Sequence, residues 1–506
     1  MRPLLNIALA LAVLAASPGV AVAEVPHDPA PAQGMVAALP PSQTTDHSID
    51  LHGRTVSYQA RAGALSLPGG DGTVTAEVFY VAYSAHPEMS SQDRQRPITF
   101  VFNGGPGAAS AFLHLGALGP RIVETGAAGL IAPAHKLVDN PDTWLDITDL
   151  VFVDPVGTGY SREAAGRQTQ SFWGVQQDTA SMAAFIRLYL AETGRTGSPV
   201  FLVGESYGGF RAALLARTLQ QDAGLRPAGI VLISPALEFM LVRPDEFDLL
   251  HLALELPSLA AVRLQHDGVA GPAFQQRLSE VERFALGDYL VALTSGLEHG
   301  GGLASERVAQ FTGLPIDLVQ RRFARISTRL FAKEFARARG NVLSLYDGTI
   351  ETPDVAPHRA QLVGPDPILD RGATLLTSAF VGYAGDELNF HTTMSYRLLN
   401  GEASRHWDYG TGPSRQGYAG AMDDLQRARA ATPAMRVLMV NGYTDLVTPY
   451  MTARYLVGQV RTIPGATPIR LEVLRGGHMM YFRPDSRHAL KQSAIELYRP
   501  AADLPQ

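Results

Sequence analysis

Short apolar runs alternate along this chain with longer stretches of helical spacing. Ile98 to Phe102, Asp149 to Asp154, Pro199 to Val203, Gly229 to Ile233 and Arg436 to Val440 are brief and almost unbroken by polar residues. Runs of that kind read as strands buried on both faces. Thr73 to Tyr83 and Ile469 to Leu474 instead alternate apolar and polar positions, as half-buried strands do. Between the strands, Gly174 to Leu190 brings Val175, Met182, Phe185, Ile186 and Tyr189 towards one face, and Phe210 to Leu219 is amphipathic as well. Strand alternating with helix predicts an α/β fold with a mainly parallel central sheet wrapped by helices.

The rhythm changes after Glu238. From there to about Ala338 the apolar spacing is helical, with long candidates at Gly271 to Ser295 and Ile316 to Arg337. Strand signals return briefly at Val342 to Leu345 and fully near Ala434. Residues 240–415 are therefore expected to form a mostly helical cap insertion over the C-terminal edge of the sheet, where α/β folds place their ligands. That leaves 48–239 and 416–506 as the core. The competing view is a helical domain unrelated to any site.

Within this pattern one hexapeptide stands out: Gly204-Glu205-Ser206-Tyr207-Gly208-Gly209, set between a predicted strand and a predicted helix. A serine in G-x-S-x-G at such a junction occupies the strained turn that projects its hydroxyl, the nucleophile elbow of the α/β-hydrolase fold. A lone hydroxyl is a poor nucleophile and needs a base, an orienting acid and oxyanion donors. The acid and base should follow the serine in that order. Asp445 lies in the loop after Arg436 to Val440, and His478 follows two glycines after the last predicted strand, so both fall on the same sheet edge as Ser206. Phe102-Asn103-Gly104-Gly105-Pro106-Gly107 supplies the early loop from which one oxyanion N–H is expected. The donors are thus assigned to Gly105 and Tyr207. The bland alternatives are a serine in an ordinary turn, Asp445 as a turn initiator and His478 as a loop histidine.

Composition narrows the chemistry. The 506 residues are 46% hydrophobic and 18% charged, with a net charge of -6 and no cysteine. A thiolate nucleophile and cysteine metal sites are excluded, and nothing in the charge pattern points to nucleic acid. H-E-x-x-H and P-loop patterns do not occur, which disfavours a zinc hydrolase while leaving scattered His and carboxylate ligands open. A serine triad needs no metal or organic cofactor, so none is expected. Residues 1–23 have the form of a signal peptide, with Arg2, an apolar stretch from Leu4 to Ala16 and Ala21-Val22-Ala23. The expectation is export to the periplasm or medium, with no integral membrane span after cleavage and a flexible Pro- and Ala-rich lead-in over 24–47.

Asn103-Gly104-Gly105-Pro106-Gly107, the hexapeptide around Ser206, Asn441-Gly442-Tyr443-Thr444-Asp445 and Gly477-His478-Met479 together resemble the serine carboxypeptidase family. Asn140-Pro141 with Trp144, and Asp154 to Ser161, add to the likeness, which spans about 75 to 240 and 415 to 500. The resemblance implies a bacterial-type exported enzyme that removes C-terminal amino acids from peptide substrates. It also implies that Asn103, Gly104 and Glu205 bind the substrate's terminal carboxylate, with Glu205 keeping a proton to donate. An esterase or acyltransferase using the same triad is the alternative, and a catalytically silent binding protein is disfavoured by the filled triad. Two departures stand out. Ala108-Ala109-Ser110 replaces the family's common Cys-Ser-Ser, and Ala117 stands where relatives carry a second glutamate paired with the first. His114, one turn before Ala117, is a candidate substitute for that glutamate, against a plain core role.

Overall fold

The computed structural model describes residues 39–85, 96–132, 136–410 and 419–499. The expected signal peptide and residues 24–38 of the expected lead-in lie outside them.

One sheet organises the chain. Its strands run, edge to edge, Gln43–Leu51, Arg54–Pro68, Val74–Ala85, Asp149–Val153, Ile98–Phe102, Val200–Glu205, Gly229–Ile233, Arg436–Gly442 and Arg470–Leu474, with Arg162–Glu163 paired to Val74–Ala85. The first three strands are antiparallel, and Val74–Ala85 is antiparallel to Asp149–Val153. From Asp149–Val153 onward every neighbour is parallel. The four strands Ile98–Phe102, Asp149–Val153, Val200–Glu205 and Gly229–Ile233 are buried throughout, because both faces of a parallel sheet are covered. Alternate residues serve the two faces. Val200 and Leu202 pack with Met182, Phe185 and Leu215 of helices Val175–Glu192 and Tyr207–Asp222. Phe201 and Val203 face Leu490 and Tyr498 of helix Pro484–Tyr498.

Gln43–Leu51 corrects the expected lead-in: residues 43–47 are strand, paired from Gln43 opposite Ala62 to Leu51 opposite Arg54. QTTDHSIDL carries few apolar residues because it is an edge strand, so its order comes from the backbone ladder and from His47 stacked on Tyr58.

Between Ile233 and Arg436 the chain leaves the sheet. It forms helices that include Leu250–His266, Gly271–Phe284, Leu297–Thr312 and Thr328–Glu334, and one short hairpin, Asn341–Leu343 with Glu351–Pro353. The two long helices expected here are each interrupted. The first passes at Ala285–Tyr289 through a wider turn, where Gly287 leaves helical geometry. The second stops at Arg321, and the Ser327 side chain caps a new start by accepting the Leu330 N–H. Helix Leu369–Asp386 turns back onto the sheet, where Phe380 and Tyr383 join the main core. Among the described residues no helix is long and apolar enough to cross a membrane.

Candidate active site

Ser206 follows directly on the strand Val200–Glu205 and precedes the helix Tyr207–Asp222, with φ 57° and ψ -122°. A non-glycine residue so placed costs about 1–3 kcal/mol, a strain that persists only where surroundings dictate it. Here close packing dictates it. A Cβ on Gly204 would lie 2.0 Å from the Gly208 carbonyl oxygen, and one on Gly208 would lie 2.4 Å from that of Phe102. Only glycine on either side lets strand, turn and helix approach so closely.

Asp445 and His478 come together at the same sheet edge. His478 Nδ1 donates to Asp445 Oδ2 at 2.9 Å, and both side chains are buried. The other Asp445 oxygen accepts the backbone N–H groups of Val447 and Thr448, and the Thr448 hydroxyl donates to Oδ2 at 2.7 Å. Burial alone would lower the imidazole pKa, but the charge and hydrogen bond of Asp445, with the charge of Glu205, hold it above its usual value. That is the electrostatic setting of a general base. Ser206, His478, Asn103, Gly104, Gly105 and Glu205 all line one cavity of about 460 Å³, large enough for a small-molecule or short-peptide group. Asp445 sits behind the imidazole, outside that lining. Nucleophile–base contacts often close only when substrate binds, so a shared cavity wall is the geometry to expect before that.

Gly105 has φ +100°. A Cβ on Gly104 would meet Tyr207 N and Glu205 O, each at 2.7 Å. The loop thus presses on the turn that presents the Tyr207 N–H. Behind it, Arg211 Nη1 donates to the Asn103 carbonyl at 2.8 Å while its Nε pairs with buried Asp178 at 2.7 Å. Arg211 also lies over the rings of Phe102 and Tyr207, so one guanidinium braces both the loop and the turn.

Glu205 is buried, and its Oε2 accepts Asn103 Nδ2 at 2.6 Å and the Tyr481 hydroxyl at 2.5 Å. Its Oε1 lies 4.0 Å from His478 Nε2. Burial pushes its pKa up to about 7, against the opposing pull of His478, Tyr481 and Asn103. With both donors on Oε2, a proton on this carboxyl belongs on Oε1, towards the imidazole. His114 takes no part. It is bonded to the Tyr83 hydroxyl at 2.6 Å, stacked on Phe152 and pushed down to about 3 by burial, so it is a neutral core residue.

Tyr481 escaped the sequence reading, and so did the segment Ser344 to Ile350. Tyr346 O accepts the His478 N–H at 2.6 Å, Leu345 O accepts that of Leu446, and Thr444 O accepts that of Gly348. Asp347 accepts the Thr444 hydroxyl at 2.8 Å and pairs with Arg483 at 2.8 Å. This segment staples the loop of Asp445 to the loop of His478. Its only sequence signal is a lone Tyr-Asp-Gly turn.

Residues 56–226 match the serine carboxypeptidase family model. That stretch holds the Asn103 loop and the Ser206 turn, and it ends before Asp445 and His478. A probable serine carboxypeptidase of Arthroderma benhamiae is 25% identical over 222 residues, 38% of each chain. The pheromone-processing carboxypeptidase KEX1 of Komagataella phaffii is 29% identical over 170 residues, 32% of this chain and 25% of that protein. The chain thus spans well under half the length of these relatives. Among solved structures, a prohormone-processing carboxypeptidase from Saccharomyces cerevisiae, KEX1(delta)p, superposes with a TM-score of 0.54 at 15% identity, covering 87% of this chain and 91% of that one. Sheet order and superposition together make this an α/β-hydrolase fold.

Proposed function

We propose that this chain is a serine-type carboxypeptidase acting through Ser206, His478 and Asp445. His478 takes the Ser206 proton, Ser206 attacks the last peptide carbonyl, and the Gly105 and Tyr207 N–H groups hold the oxyanion. Asp445 orients the imidazole through Nδ1. His478 then protonates the leaving amino acid, and water releases the acyl-enzyme. None of these steps calls for a metal or an organic cofactor.

The observation that favours an exopeptidase over a general esterase is Glu205: a buried carboxyl, held by Asn103 and Tyr481, in the wall that also carries Ser206. A carboxylate brought beside it would raise its pKa further, so the incoming terminus itself favours the protonated, donating form. Asn103, Gly104 and Glu205 are accordingly assigned to the substrate carboxylate. Residues 240–415 are read as the cap over this cavity, and the protein as an exported, periplasmic or secreted enzyme.

The test is a fluorophosphonate probe followed by paired substrates. Labelling that Ser206→Ala abolishes, with release of an amino acid from a blocked dipeptide but not from its C-terminal amide, supports the proposal. Labelling with no cleavage of either dipeptide, but with turnover of a C-terminally blocked ester, would point to the esterase or acyltransferase instead.

A further inference from the structure

Leu345 and Tyr346 line the candidate active-site cavity, and the residues just after them, Gly348, Thr349 and Ile350, line a second cavity of about 700 Å³. That volume falls in the range of small-molecule sites. Tyr443, on the loop of Asp445, lines it too, as do Arg475 and Arg483, which flank His478 in the chain. Among the described residues the two linings have no member in common.

The wall of this second cavity is amphipathic. Val262, Phe274 and Leu343 are buried in it, and Val269, Phe335 and Ile350 continue the apolar surface towards solvent. Charge is unbalanced across it: the described lining holds two arginines, a histidine and a single carboxylate, Glu351. That carboxylate is already engaged, by Arg339 at 2.5 Å and by Asn341 at 2.9 Å. His266 lies 3.6 Å from Asp267 and 4.0 Å from Glu351. Arg475 is exposed, and its pairing with Asp485 is loose, at 3.6 Å. Arg483 is buried, with Nη2 donating to Asp347 at 2.8 Å and to Thr349 at 2.9 Å. Its Nη1 reaches the Ala127 carbonyl at 3.5 Å, beyond the ordinary range of about 2.7–3.2 Å, and so keeps donors to spare. The two arginines are neighbours, since a Cβ on Gly476 would lie 3.0 Å from Arg483 Nε. Guanidinium donors with capacity left, beside a hydrocarbon wall, match an anion that carries an apolar body.

We propose that this second cavity is a ligand site for an amphipathic carboxylate, held at its charged end by Arg475 and Arg483 and along its body by Val262, Val269, Phe274 and Phe335. A free fatty acid and the C-terminus of an apolar peptide share that chemistry. The ligand would rest on Thr349 and Arg483, the residues that brace Asp347 in the staple between the Asp445 and His478 loops. Binding is read without turnover, so the inference stands apart from the carboxypeptidase reading.

The experiment titrates the full chain calorimetrically with decanoate, with an N-acetylated leucine–phenylalanine dipeptide and with decyltrimethylammonium, an apolar cation of like length. At least one of the two acids should bind saturably, and the cation should not. Arg475→Glu, at an exposed position, should weaken the acid by about tenfold or more, the scale of one charge-assisted contact. Val269→Trp, which adds an indole to the apolar wall, should weaken it as well. Weakening of decanoate in Arg475→Glu supports a free acid as the ligand, and weakening of the dipeptide supports a peptide terminus. A dipeptide that binds the wild type and Arg475→Glu alike sits elsewhere and counts against a peptide terminus here. The inference is overturned if neither acid binds, if the cation binds as tightly as the acids, or if Arg475→Glu leaves the affinity of both acids unchanged. Those three outcomes decide even where Val269→Trp fails to fold.

Discussion

The Tyr481 hydroxyl donates to Oε2 of Glu205 at 2.5 Å, from a position three residues beyond His478. The proposed base and the donor to the carboxyl are therefore carried on one loop. Where the family resemblance anticipated a second glutamate, at Ala117, this chain has none, and a phenol donates to Glu205 instead. Gly116 makes room for the Tyr481 ring: a Cβ there would lie 3.1 Å from that ring and 2.5 Å from that of Phe482. A phenol with a pKa far above its usual value, raised by burial and then by Glu205, stays protonated and donates to this carboxyl. This hydrogen bond, like that from Asn103, favours the ionised form of Glu205.

A pH dependence follows from that contact. Glu205 must be protonated to donate to a substrate carboxylate, and its pKa lies at about 7. Below that value the donating form predominates, and above it the carboxylate does. Cleavage of free-acid peptides should decline as pH rises through the neutral range, while C-terminally blocked esters should be largely spared. In Tyr481→Phe a donor that lowers the pKa is gone, so the decline should move to higher pH, by about 1–2 units for a hydrogen bond to a charged group. Rate profiles on acid and ester substrates measure this, and identical profiles in the two enzymes would count against the role of Tyr481.

Ser206→Ala and His478→Ala should each lower peptide cleavage by on the order of 10⁴-fold or more, and combining them should add little, since the members of a triad act as a unit. Asp445→Asn should preserve the fold yet lose on the order of 10⁴-fold, because an amide favours the wrong imidazole tautomer. Single-turnover rates with circular dichroism as a folding control would decide. Additive losses would contradict a shared machine.

Gly104→Ala probes the oxyanion loop. The added methyl would meet the Tyr207 nitrogen and the Glu205 carbonyl at 2.7 Å, and both are backbone, with no flexible tip to swing away. We expect kcat to fall about 10²–10³-fold, the loss typical of one oxyanion donor, with a smaller change in overall stability. Near-normal kcat would mean that the Tyr207 N–H is not used.

Asp178→Ala tests the brace behind the site. It would strand Arg211, whose side chain is fully buried against Asn103 and Tyr207. Losing one partner of a buried pair costs about 3–5 kcal/mol, whereas replacing both with apolar residues of like size is often nearly neutral. Urea denaturation midpoints of the single variant and of Asp178→Leu with Arg211→Met should show that asymmetry.

The sequence exposed those parts of the molecule that local chemistry dictates. Glycines at 204 and 208 are needed for the turn at Ser206 to close, so the elbow could be read from spacing alone. Unbroken apolar runs such as Gly229 to Ile233 announced strands covered on both faces. Residues 43–47 were misjudged because an edge strand can be polar and still be held by its ladder. Tyr481 and Asp347 were missed for a different reason. Each draws its role from partners distant in the chain, at Glu205 for the one and at Thr444 and Arg483 for the other, and no periodicity marks such a meeting.

The staple from Ser344 to Ile350 makes the residues between Ile233 and Arg436 part of the support of the Asp445 and His478 loops. Because Tyr346 holds the main chain of His478, and Asp347 bridges Thr444 to Arg483, the segment that leaves the sheet also anchors the residue proposed to transfer the proton. A lid borrowed from another hydrolase would arrive without those anchors. A chimera that replaces the whole segment, hairpin included, should lose activity along with any selectivity, whereas one that keeps the hairpin and exchanges only the helices around it should keep the arrangement of His478 and Asp445.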